Sequence, residues 1–265
     1  MKPTIIPKDN LHLKNLIKQE IKLNGNNCDL NHIDVSNLSN FSQLFFHSKF
    51  NGNISKWDTS NATNMAGLFN YSSFNGDISG WNTSKVKIML NMFRDSQFNK
   101  DISNWDVSKV VDMEAMFAQS QFNGNISKWN TSNVINMNSM FGNSKFNNDI
   151  SQWNVSKVQN MSVMFWSAEF NGDISSWDVS SVKEMDYMFE GSNFNGDISN
   201  WKPYALVLSE PIYDSENFIV PYWEQYKDIT EKMKAINSYH LEKGLLKELN
   251  EELNNSDSKQ KKIKI

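Results

Sequence analysis

The fold class the sequence predicts is a repeat solenoid of about seven 24-residue coils, irregular and leucine-rich-repeat-like, with α-helical caps at both ends. Three observations predict it. Tryptophan recurs at one constant interval, at Trp57, Trp81, Trp105, Trp129, Trp153, Trp177 and Trp201. Phenylalanine keeps that interval twice over, in the series Phe45 to Phe189 and Phe50 to Phe194, and isoleucine keeps it from Ile54 to Ile198. No proline falls between Lys8 and Lys202, so backbone pairing between successive coils is not interrupted. A unit of that length cannot bury so many rings alone, and stacking on its neighbours is the way to cover them.

Residues Asn10 to Leu23 place Leu13, Leu16, Ile17 and Ile21 at helical spacing, with Asp9 or Asn10 as the N-cap and Gly25 as the stop. Residues 1–29 therefore read as an N-terminal helical cap. Residues 30–202 follow as the solenoid, opening with a degenerate coil in which Leu30 replaces isoleucine and Ile33 replaces tryptophan. Within each coil the W(D/N)(T/V) segment alternates, which predicts a short strand with its acid or amide outward. Valine, methionine, methionine and phenylalanine at offsets 0, 3, 6 and 7 predict a helical or 3₁₀ turn, capped by the serine before it, as at Ser60 and Ser84. The FN(G/N/K)(D/N) tetrad predicts a tight corner whose Asn and Gly supply unusual dihedrals. Residues 203–255 read as a C-terminal linker and helical cap, the helix covering Tyr222 to Leu253 with a stripe through Trp223, Tyr226, Ile229, Met233, Ile236, Leu245, Leu249 and Leu253 and a possible break at Gly244. Residues 256–265 read as a disordered basic tail.

The phrase FNGDISxWDVSxVxxMxxMF resembles the unit of the BspA-like leucine-rich repeat proteins, in particular the DUF285 branch. Leu30 to Phe45, LNHIDVSNLSNFSQLF, resembles the entry coil of that branch. The resemblance extends from Leu30 to about Asn200 and implies an irregular leucine-rich-repeat solenoid that attaches to surfaces or binds proteins. It carries over no catalytic residue.

The chemistry of individual residues points the same way. The 26 basic and 30 acidic side chains give a net charge of −4, which argues against a sequence-independent binder of phosphate backbones and predicts no nucleic-acid partner. The recurring NGD glycines are corners of the repeat and lack phosphate-loop spacing. Cys28 has no partner for a disulfide, and four scattered histidines form no zinc pattern, so no metal or cofactor is expected. Two columns of Asp and Asn, one beginning at Asp34 and Asp58 and the other at Asn53 and Asp77, interchange acid and amide freely; this favours turn hydrogen bonds over calcium. No apolar run long enough for a membrane span exists, and the opening MKPTIIPKDNLHLKNLIK lacks a secretory core segment. The expected location is cytoplasmic, or outside by a route without a cleaved signal; the resemblance adds surface display.

Binding information is expected where the coils disagree. One varied column reads Phe46, Asn70, Arg94, Ala118, Gly142, Trp166, Glu190, and a second reads Gln43, Gly67, Asn91, Ala115, Ser139, Val163, Tyr187. Trp166 stands outside the tryptophan register. Val163, Trp166 and Tyr187 form an expected aromatic patch, with Arg94, Asp186 and Glu190 as further partner-binding residues. The alternative is that the C-terminal helix covers this patch through Trp223 or Tyr226. An acidic group, Glu169, Asp173, Asp178, Glu184, Asp186, Glu190 and Asp197, surrounds it against Lys183. The function expected is a non-enzymatic protein–protein interaction module. Alternatives within that class are a bacterial surface adhesin, or an intracellular effector or mobile-element inhibitor that occludes a partner protein of unknown identity.

Overall fold

Rings that recur at the repeat interval stack directly on one another in the computed structural model, which describes residues 4–207, 209–212 and 221–263, with side chains as far as Glu251. The chain divides into two units, Met1–Ile219 and Val220–Ile265. The first has a repeat architecture with three internal aromatic columns. Phe45 to Phe189 stack with centroids 5.4–5.8 Å apart. Phe50 to Phe194 stack at 6.1–6.4 Å. Tryptophan pairs such as Trp57–Trp81 and Trp177–Trp201 lie at 6.2–6.4 Å. Each indole N–H donates to a carbonyl of the preceding repeat, for example Trp105 to Ile78 at 3.1 Å, so these large side chains are buried without an unmet donor.

The expected strand and the expected helical turn are both replaced by something else. Among the described residues, parallel pairing between repeats occurs as isolated bridges, Asp29–Asn53 at the first corner and Asn40–Asn64–Ile88–Asp112–Asn136–Asn160–Glu184 at the residue before the first methionine, and not at W(D/N)(T/V). The methionine-phenylalanine stretch is not helical, because its backbone bonds run between repeats. Residues 65, 67, 69 and 71 donate to the carbonyls of 88, 90, 92 and 94, and the same four bonds recur along the stack at 2.5–3.0 Å. Single i→i+3 turns, such as Leu68 to Met65, fold the chain between them. This geometry requires every fourth residue to be left-handed. Two columns have φ between 49° and 64°: Gln43 to Tyr187 and His47 to Gly191. Offsets of 0, 3, 6 and 7 therefore arise here from alternating backbone handedness and not from a 3.6-residue period.

The corners differ from expectation in a related way. None of the FN(G/N/K)(D/N) positions has positive φ. Glycine there answers a different need, since a Cβ on Gly76 would meet the Phe74 ring at 2.8 Å. The asparagine of the tetrad forms a ladder of its own: Asn75 N–H donates to Asn51 Oδ1 at 2.8 Å, and the bond repeats to Asn195. The serine expected as a helix cap instead donates its N–H to the acid or amide two residues earlier, as Ser60 does to Asp58 at 2.9 Å.

Both ends of the stack are closed by chain that continues it. Helix α1, Asn10–Asn24, has Asp9 as N-cap, accepting from His12 N–H at 2.7 Å, and Gly25 at φ 81° as its stop. It buries Leu13 and Ile17, while Leu16 and Ile21 are half-buried. Asn10 Nδ2 donates to the carbonyls of Asn40 and Ser42, the first acceptors of the inter-repeat columns. At the other end Leu206 and Ile212 occupy the places of Val182 and Met188, both fully buried, and the Pro211 and Ile212 carbonyls accept from Tyr187 and Phe189. A partial further repeat thus closes that end.

In the second unit α2 spans Ile229–Ile263. It begins seven residues later than expected, where Asp228 accepts from Glu231 N–H, and it runs through Gly244 without a break. It also extends over residues 256–263, where a disordered tail was expected. Of its expected stripe, Ile236 is buried, whereas Ile229, Met233, Leu245 and Leu249 are exposed; the side chain of Leu253 lies outside the described residues. Among the described residues no helix is long and apolar enough to cross a membrane.

Candidate partner-binding face

The alternating backbone turns two side chains of every four outward, so the methionine-phenylalanine stretches form one wall of the stack whose outer residues are the varied ones. Phe117, Met113 and Met116 point in and are fully buried, whereas Gln119 is exposed. Trp166 is 40% exposed, unlike the seven phased tryptophans, none above 4%. Val163, Asp186, Tyr187, Glu190 and Arg94 are half-buried.

Five of the six sequence-derived residues meet in two adjacent repeats. Val163 donates its N–H to Asp186 O, Trp166 donates to Val163 O, and Glu190 donates to Tyr187 O. Arg94 stands three repeats from Trp166 in the same column, about 14 Å away at the ~4.8 Å spacing of paired chains. Between them the column shrinks to Ala118 and Gly142, both buried, with buried Ala115 alongside.

The acidic surroundings are less free than their sequence implied. Glu169 pairs with Lys145. Asp186 accepts from Ser209 and Glu210 N–H, and Glu184 accepts from Asn160 Nδ2. Desolvation, followed by the hydrogen bond its hydroxyl donates to Glu210, raises Tyr187 above its ordinary range. The Asp columns close turns. Asp34, Asp58, Asp77, Asp101, Asp106, Asp149 and Asp173 are held below the usual carboxylate range by the hydroxyl and N–H of the serine two residues on. A folded-state value below the unfolded one means that this stabilisation is present above the unfolded value, near 3.8, and is lost as pH falls toward the folded one. Melting temperature is therefore expected to be flat from about pH 7 to 5 and to drop below about 4. Changing all seven to asparagine, the residue already present at Asn53, Asn82 and Asn125, should keep the turns and flatten the acid limb. Thermal melts across pH check this; an unchanged acid limb would count against it.

Comparison with known proteins agrees with the repeat. A family model described as "Mycoplasma protein of unknown function, DUF285" matches residues 12–121, 96–201 and 166–237. The chain belongs to the DUF285 family. The three matches together span residues 12–237, so DUF285 membership covers α1, the stacked repeats and the start of α2. No curated protein and no solved structure matches the chain.

Proposed function

We propose that this DUF285 chain is a non-enzymatic protein-interaction module, an irregular leucine-rich-repeat-like solenoid that presents one rigid, varied face to another protein. The observation that carries this reading is the exposed Trp166 on a wall whose backbone is hydrogen-bonded repeat to repeat. A ring held this way loses little freedom on binding. Val163 supports it further, because the backbone imposes φ 51° there and a β-branched residue in that region costs about 1–2 kcal/mol, a cost that asparagine, used in the same column at Asn91, would lessen. Val163→Asn is accordingly expected to raise the melting temperature while weakening partner capture.

In this reading Trp166, Val163 and Tyr187 anchor the partner, and Arg94, Glu190 and Asp186 set its polarity. The test is affinity capture from the native cell with the wild-type chain and with Trp166→Ala and Arg94→Glu. Truncating a central aromatic anchor typically costs about 2 kcal/mol, some thirty-fold in affinity. Capture that survives both changes at wild-type strength would remove the face from consideration.

A further inference from the structure

A second site lies at the α1 end of the same wall, five repeats from Trp166, where α1 crosses the first repeat. A groove of about 490 Å³ runs between them, lined by Lys14, Ile17, Lys18, Ile21 and Lys22 of α1 and by Leu44, Phe46, His47 and Lys49. Three properties define what it can hold. It is basic: Lys14, Lys18 and Lys22 repeat every four residues along one helix face, Lys49 faces them, no acidic residue lines the groove, and none of the four lysines forms an ion pair among the described residues. It is apolar on one wall: Phe46 is 42% exposed, packs edge-on against His47 at 4.4 Å, and His47 stacks on Tyr71 at 4.5 Å. It also holds unmet acceptors. Asn10 satisfies the carbonyls of Asn40 and Ser42, but those of Leu44 and Phe46, which begin the next two inter-repeat columns, accept no hydrogen bond among the described residues.

We propose that this groove binds an acidic peptide segment carrying an apolar anchor. Its carboxylates pair with Lys14, Lys18, Lys22 and Lys49, its backbone N–H groups reach the Leu44 and Phe46 carbonyls, and its anchor lies on Phe46 and Ile21. The carbonyls decide between anions. Phosphate oxygens, whether of lipid or nucleic acid, would satisfy the lysines but only accept hydrogen bonds, so they offer the two carbonyls nothing. A peptide supplies acid, donor and anchor together.

The test uses the full chain and a fluorescein-labelled nonapeptide in which glutamates alternate with leucine and phenylalanine, followed by anisotropy. A nonapeptide of glutamate alone and phosphatidylserine vesicles serve as competitors. Binding is expected to weaken at least tenfold in Lys14→Glu/Lys18→Glu/Lys22→Glu, about tenfold in Phe46→Ala, and not at all in Lys85→Glu. Trp166→Ala should leave it unchanged, so this proposal and that of the Trp166 face fail separately. Lysine acetylation footprinting on the wild-type chain gives a readout free of mutation: Lys14, Lys18 and Lys49 should be protected by the peptide and Lys157 should not. The proposal is overturned if the peptide fails to bind, if polyglutamate or vesicles compete as well as the mixed peptide does, or if the charge reversals have no effect.

Discussion

Replacing Phe117 with alanine should destabilise the protein by about 3–5 kcal/mol, the range for removing a buried ring from a core that cannot collapse around the gap. Phe117 is fully buried and touches four rings: Phe93 at 5.6 Å, Phe122 at 4.2 Å, Trp129 at 6.2 Å and Phe141 at 5.8 Å. Three of these contacts, to Phe93, Trp129 and Phe141, cross to neighbouring repeats, so the change weakens both interfaces of one central unit. In an array held by nearest-neighbour terms, that divides the transition. Urea unfolding should broaden and its apparent slope should fall, because the two halves no longer unfold together. Phe189→Ala, near one end of the array, leaves the repeats before it undivided and is expected to keep a single sharp transition. Equal losses with unchanged slopes would mean that the stack behaves as one cooperative core.

Deleting residues 110–133 should leave a folded chain, whereas deleting 110–121 should leave none. The longer deletion joins Lys109 to Val134 in register and places Phe93 under Phe141, Met89 N–H under the Asn136 carbonyl and Asn147 N–H over Asn99 Oδ1, each the same kind of contact that was removed. The loss is one unit and one interface. The shorter deletion sets the methionine wall of one repeat against the corner of the next, so that left-handed residues, ring columns and the asparagine ladder all lose their partners. Circular dichroism melts distinguish the cases: a cooperative transition at lower temperature for the first and no cooperative transition for the second. A cooperative melt of the twelve-residue deletion would contradict the stacking described above.

The parts of this fold that were legible in the sequence are those written in side chains with one function. A tryptophan repeated at a fixed interval has nowhere to go but inward, and α1 announced itself by Asp9, Gly25 and the spacing of Leu13 and Ile17. What was not legible is written in backbone handedness. Only Gly67 and Gly191 among the fourteen residues of the two left-handed columns are glycine, and residues such as Val163 and Tyr71 give no local hint of positive φ. Their conformation is imposed by four hydrogen bonds to a neighbouring repeat, information that no window of one repeat contains. The candidate site was half visible for a similar reason. Variation marked Trp166 and Tyr187, but the groove beside Phe46 depends on which residues become adjacent only after α1 packs on the first repeat.

The direction of the backbone bonds in the stack carries one more implication. Along the methionine wall every donor faces the end that carries Trp201 and every acceptor faces α1, while the bonds from Lys87 to Thr63 and from Val111 to Lys87 run the opposite way. The top and bottom of the pile are therefore complements of one another, which is the condition for open-ended head-to-tail growth into a fibre. Asn10 occupies two of the four acceptors at one extremity, and the Pro211 and Ile212 carbonyls meet two of the donors at the other, so the chain's own residues compete with a second molecule for both faces. Removing those few residues should leave both faces open to a further copy, and light scattering of a chain lacking them would then report growth with concentration.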